Sequence, residues 1–399
     1  MMKRTIILVS AFLLPWIISG QSSFEVILKS RSLSESGEYL KAAEILSFSI
    51  NIKEEGRLYA ERGNVNILAG DSDKAISDYN KANEFAEYSG DYGLARIYAL
   101  KGNAKESLHH LEMNMLSRFR KSERDVLLDP AFTRIENTPE WRQFWKGDWF
   151  TALETAISEL EYYVAAGKNS EAADKLSELQ VIYKGEDEVL YANALVLLSS
   201  AKPAEAVRIL SGISDSGNEK VLRLMARAQT EALNPAGASA IYTKLLAMEI
   251  PDAGLLLLRA ECYSKTGESA RSMADIEKYL SLYPGEISAL RLAGKVKTAE
   301  GNNLRALEYF TENLRYHPGD PECYIDRANS YMALKSWEPA INDYSMSLDL
   351  NPSNPEAWLS KGIAQFNSGK TEDACHDFRY ALKFGNKRAA DYISKYCIK

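Results

Sequence analysis

The sequence predicts an all-α fold, an α-solenoid of about ten helical hairpins with a C-terminal capping helix. Two observations carry that prediction. Pro284, Pro318 and Pro352 stand 34 residues apart. Each closes a segment in which small and aromatic residues recur at nearly the same offsets, the signature of hairpins stacked in tandem.

The segment beginning at Pro321 shows the pattern. Tyr324 opens a helix, Ala328 is small and Tyr331 lies two turns on; Ala340, Tyr344 and Ser347 mark a second helix that Pro352 stops. The next segment repeats it with Trp358, Gly362, Phe366, Gly369, Ala374, Phe378 and Ala381. Two helices reach backbone contact only where side chains are tiny, so Gly362 and Ala374 suit a close crossing while Phe378 fills the adjacent space. Gly369 ends the first helix, because glycine adopts the left-handed conformation cheaply.

These residues resemble the tetratricopeptide repeat. That family has an aromatic or leucine at position four, small residues at eight and twenty, an aromatic or leucine at twenty-four, and proline near thirty-two. The resemblance implies a right-handed solenoid and covers most of the chain. Further copies start at Ala253 and Ile287, weaker ones near Leu153, Asp187 and Glu219. Towards the N-terminus a clear copy starts at Gly56, flanked by others near Ser23 and Tyr88. About ten hairpins result, in blocks of three and seven.

The expected organisation is a leader over 1–20, an N-terminal block over 21–115, a helical connector over 116–150, a C-terminal block over 151–386 and a capping helix over 387–399. In the connector the period is lost. Asp129-Pro130 and Thr138-Pro139 each read as a helix start, with a capping side chain before a proline at the first helical position. Trp141, Trp145 and Trp149 then follow at four-residue spacing, which places them on one helical face beside Phe144. Such a stripe reads first as a seal between the two blocks and second as an aromatic ligand patch.

Lys3 and Arg4 precede an apolar run from Thr5 to Ile18 that ends in Ser19 and Gly20. This reads as a secretory signal peptide, so the expectation is export to a periplasm or the exterior, with no transmembrane span in the mature chain. The first cysteine is Cys262. Lipid attachment through an N-terminal cysteine is therefore not expected. Asn-x-Ser/Thr with x other than proline does not occur, which favours a bacterial periplasm. The formal charge of −7 falls to about −9 once Lys3 and Arg4 are removed. No basic stripe offsets it, so nucleic acid is not an expected partner.

Charged residues also follow the repeat. Arg62, Arg259, Arg327 and Lys361 occupy position seven, and sixteen residues later stand Asp78, Asp275, Asp343 and Asp377. Repeats without the first lack the second: Ala293 precedes Tyr309, and Met225 precedes Ile241. The pattern predicts ion pairs between the two helices of a hairpin, structural in role, with exposed ligand-binding arginines as the alternative.

The resemblance implies that first helices line a concave face where a protein or peptide binds. Applied here it selects Arg291, Lys295, Asn329, Met332 and Phe366, among others. Arg291 and Lys295 lie one turn apart, which reads first as a solvated basic face and second as an anion or carboxylate contact. Some family members clamp a carboxylate with lysine at position five and asparagine at nine, but Ile325 precedes Asn329 and Ala60 precedes Asn64. That clamp is absent. Cys375, Gly385 and Cys397 are similar to the ending of exported bacterial repeat proteins, which implies a Cys375–Cys397 bridge; four free thiols are the alternative. Cys262 and Cys323 are expected as buried thiols.

No chemistry is expected. Ser368-Gly369-Lys370-Thr371 lacks the upstream glycine and strand of a phosphate loop. His109, His110, His317 and His376 fall at no metal-ligand spacing. The expected function is thus a binding scaffold of the cell envelope without enzymatic activity or cofactor. The alternative is a structural subunit of an envelope or secretion assembly docking through its outer surface and the Trp141–Trp149 seam.

Overall fold

The computed structural model describes residues 22–214 and 217–397, and the expected leader lies outside them. Among the described residues there are twenty-three α-helices, one 3-10 helix and no strand. Two units divide within the sixth hairpin: the first holds residues through Asn234 together with Lys244–Asp252, the second Pro235–Thr243 together with everything from Ala253 onward.

In the first unit the helices are α1 (Ser23–Glu35), α2 (Tyr39–Ile52), α3 (Gly56–Leu68), α4 (Ser72–Phe85), α5 (Asp91–Leu100) and α6 (Ala104–Met115). After the short α7 (Glu123–Leu127), a 3-10 turn (Pro130–Arg134) and α8 (Pro139–Phe144) come α9 (Ala152–Ala165), α10 (Asn169–Ile182), α11 (Asp187–Ser199), α12 (Pro203–Leu210) and α13 (Glu219–Glu231). Helix α14 (Pro235–Ala247) is shared between the units. The second unit continues with α15 (Gly254–Lys265), α16 (Ser269–Leu282), α17 (Ile287–Ala299), α18 (Asn303–Tyr316), α19 (Pro321–Ala333), α20 (Trp337–Leu350), α21 (Pro355–Asn367) and α22 (Thr371–Lys383). The capping helix α23 (Ala389–Tyr396) closes it. Apart from the α7–α8 stretch and this cap, the helices pair into ten hairpins, and each unit is a solenoid whose core runs as a ribbon between successive hairpins.

Small residues set the crossings. A Cβ added to Gly294 would sit 2.3 Å from the Phe310 ring, and one added to Gly362 2.6 Å from Phe378. Both rings are buried. Gly294→Ala is therefore expected to cost about 1–3 kcal/mol through overpacking, measured as a lower denaturant midpoint. An unchanged midpoint would show that Phe310 can move aside.

All ten hairpin turns carry a residue with positive φ. Seven are glycine, but Ala201, Leu233 and Lys335 occupy the same place at φ 57°, 57° and 56°. The Lys335 turn is bonded like the Gly369 turn: Lys335 N–H donates to the Met332 carbonyl and Ser336 N–H to that of Tyr331, as Gly369 and Lys370 donate to Phe366 and Gln365. A side chain in this conformation costs about 1 kcal/mol. Leu233→Gly and Lys335→Gly are each expected to raise unfolding stability by up to ~1 kcal/mol, less whatever the freer unfolded chain removes. Chemical denaturation reads the sign, and a lowered midpoint for both would contradict the turn argument.

The connector differs from expectation in two ways. It is not where the units divide, because Val126, Phe132, Ile135 and Trp141 share one core cluster with Ala95, Ala99, Leu108 and Leu111 of α5 and α6. Arg120 also pairs with Glu154 at the start of α9. Second, the tryptophans do not ride one helix. Helix α8 stops at Phe144, and the chain then turns so that Trp149 stacks back on Phe144, centroids 4.7 Å apart, donating from Nε1 to the Phe144 carbonyl at 2.6 Å. The stripe becomes a cluster closed on itself.

Another contact in the first unit joins residues far apart in sequence. Arg31 in α1 forms a two-pronged bond with Glu61 and donates to the Pro251 carbonyl at 2.8 Å, while Arg57 pairs with Glu249. The first two hairpins thus touch the segment that leads into the second unit.

Candidate binding surface

Each charged pair at positions seven and twenty-three is built by the hairpin geometry. Arg62 Nη2 lies 2.6 Å from Asp78. Arg259 and Arg327 each engage their aspartate through two nitrogens, at 2.7–2.8 Å to Asp275 and 2.7 Å to Asp343. Lys361 lies 3.3 Å from Asp377. The aspartates are buried and the cations about one-fifth exposed. Hydrogen bonds to the carboxylates hold the Arg259 and Arg327 guanidiniums above their usual pKa. Where the pair is missing, buried Ala293 and partly buried Tyr309 pack in the same core cluster instead. Arg62 also donates to Ser47 and Arg259 to Thr243, in the second helix of the preceding hairpin. These cations therefore tie neighbouring hairpins as well as the two helices of their own.

Position nine is arranged by position twenty-four. Tyr344 donates its hydroxyl to Asn329 Oδ1 at 2.7 Å, and Tyr79 does the same to Asn64. Burial pushes the Tyr344 phenol up to about 12. Because the carbonyl oxygen of Asn329 accepts from the tyrosine, its amide nitrogen is the end left for the exposed first-helix face.

The remaining residues of that face are not equivalent. Lys295 is exposed and Met332 partly buried against Tyr344 and its neighbours. Arg291 does not form a basic pair with Lys295, because Asp326 of the next hairpin takes its Nε at 2.6 Å and Glu322 stands 3.7 Å away. The carboxylates cancel its charge. Phe366 is not an open groove residue either: Tyr396 of the capping helix lies over it, centroids 4.2 Å apart. Cys375 and Cys397 are joined in a disulfide that ties this helix to α22. Cys262 and Cys323 are buried, and burial pushes the Cys323 thiol up to about 12.

In the first unit the equivalent face carries a pocket of about 170 Å³ lined by Ile157, Asp187, Glu188, Tyr191, Ile213, Asn218, Lys220 and Val221. It lies over three successive first helices, α9, α11 and α13. Periodicity alone did not mark it, because these three repeats match the family pattern most weakly.

Residues 328–369 match a family model described as TPR repeat, and residues 253–286 one described as tetratricopeptide repeat. The chain carries tetratricopeptide repeats. No curated protein matches the chain. Among solved structures, a tetratricopeptide repeat protein from Parabacteroides merdae is 20% identical over 62% of this chain and 99% of its own, with TM-score 0.47. MamA is 19% identical, covering 42% of this chain and 97% of its own, TM-score 0.39. YrrB, described as a TPR protein with an unusual peptide-binding site, is 14% identical, covering 48% and 97%, TM-score 0.38.

Proposed function

We propose that the protein is a non-enzymatic scaffold of the cell envelope that binds a protein or peptide on the first-helix faces of its repeats. The observation that carries the reading is the arrangement at Asn329. A buried tyrosine spends its hydroxyl on orienting an exposed amide, which presents donors to an extended chain without contributing to the core. Lys295, one repeat earlier, adds an exposed cation. Helical hairpins of this kind offer a surface rather than a reaction centre, and function rests on what the exposed positions display.

Export is supported by the Lys3–Gly20 leader pattern and by the Cys375–Cys397 bridge, since disulfides persist in oxidising compartments. The docking alternative has less support, because Trp141, Trp145 and Trp149 pack on one another and on Phe132, Phe144 and Phe150, and so leave little aromatic surface. Capture of partners from an envelope extract tests the reading. Lys295→Glu with Asn329→Ala is expected to reduce capture at least tenfold, and Arg142→Glu on the exposed side of the seam to leave it unchanged. The opposite pattern would replace the scaffold reading with the docking one.

A further inference from the structure

The pocket over α9, α11 and α13 already shows the chemistry of an occupant. The Lys220 ammonium lies 4.9 Å from the Tyr191 ring centre and forms an ion pair with Glu161. An aromatic face and a carboxylate together make a cage for a cation. The two halves of the pair differ in exposure: the Lys220 side chain is 56% exposed, the Glu161 side chain 14%. Burial, reinforced by the charge of Glu161, pushes the Tyr191 phenol up. Tyr191 lines the pocket and Glu161 is held beside it by Lys220, which itself lines the pocket and, half exposed, sits on a flexible stem that can leave for water cheaply. Ile157, Ile213 and Val221 add apolar lining suited to a methylene chain, and Glu188 adds a second carboxylate at the rim. Asp187 is engaged elsewhere, accepting from the Ser214 amide and hydroxyl.

We infer that this pocket receives the side chain of a lysine from the bound partner, which displaces Lys220 from Glu161 and Tyr191. The inference rests on the scaffold reading and names what one of its faces recognises. Lys220 is then an internal competitor, and removing it should strengthen binding, the reverse of what a partner-contacting or structural lysine would do.

Fluorescence anisotropy with a labelled peptide carrying a single lysine between leucines, and with its Nε-acetyl form, tests this on the mature protein. Lys220→Ala is expected to bind the unmodified peptide about fivefold tighter than the parent, since it no longer has to break the Lys220–Glu161 ion pair and a cation–π contact. Acetylation should abolish that gain, and Glu161→Gln in the Lys220→Ala background should remove it while far-ultraviolet circular dichroism stays helical. Weaker or equal binding by Lys220→Ala, or no binding by any variant, overturns the cage. Equal binding of both peptides overturns the cage alone and leaves the scaffold reading standing.

Discussion

Asp343→Ala is expected to destabilise the second unit by about 3–5 kcal/mol, and Arg327→Leu with Asp343→Leu by clearly less. The reason lies in burial. The Asp343 side chain is 7% exposed and that of Arg327 21%, so removing the acid alone strands a guanidinium in surroundings that hydrate it poorly. Removing both replaces a charged pair by apolar contacts at a point where the neighbouring repeat uses Ala293 and Tyr309. Arg327 also lies over the Tyr331 ring at 6.0 Å, a contact that only the double variant removes. Urea unfolding of the three proteins decides the matter. Equal losses for the single and double variants would show that the pair acts only as packing volume.

The second large effect concerns the cap. Cys375 and Cys397 close a loop with a sequence separation of 22, and the chain-entropy account assigns such a link about 3 kcal/mol. Cys397→Ser, or reductant on the parent protein, is expected to lower the stability of the second unit by roughly 2–4 kcal/mol. It should also loosen α23 from Phe366 and Phe378, which its Tyr396 and Tyr392 cover. Faster hydrogen exchange confined to α21, α22 and α23 would report this. An intact mass that reductant does not change by two hydrogens would deny the bridge.

Much of the fold was legible because it is periodic. Prolines at one spacing and small residues opposite aromatic ones at another follow from two helices crossing at backbone contact, and each repeat states the rule afresh. The sixteen-residue offset between cation and aspartate was visible for the same reason, including the repeats where both are missing. What could not be read lies between repeats or outside them. Tyr396 covers Phe366 from a helix that obeys no repeat, and Asp326 neutralises Arg291 from 35 residues away at a position with no recurring acid. A search for carboxylates one repeat downstream of each exposed arginine would have found the latter. Four-residue spacing predicts one helical face for the tryptophans, whereas the turn after Phe144 brings Trp149 back by a different route. The Glu161–Tyr191–Lys220 cage joins three weak repeats, each supplying one group, so no local pattern announces it.

Site-specific photo-crosslinking in the producing cell tests the account most directly. A photoreactive residue at Asn329 or Lys295, on first helices, is compared with one at Glu312 or Arg142, away from that face. The account predicts discrete protein adducts from the first pair of sites and none from the second. Adducts from Glu312 or Arg142 alone would contradict it.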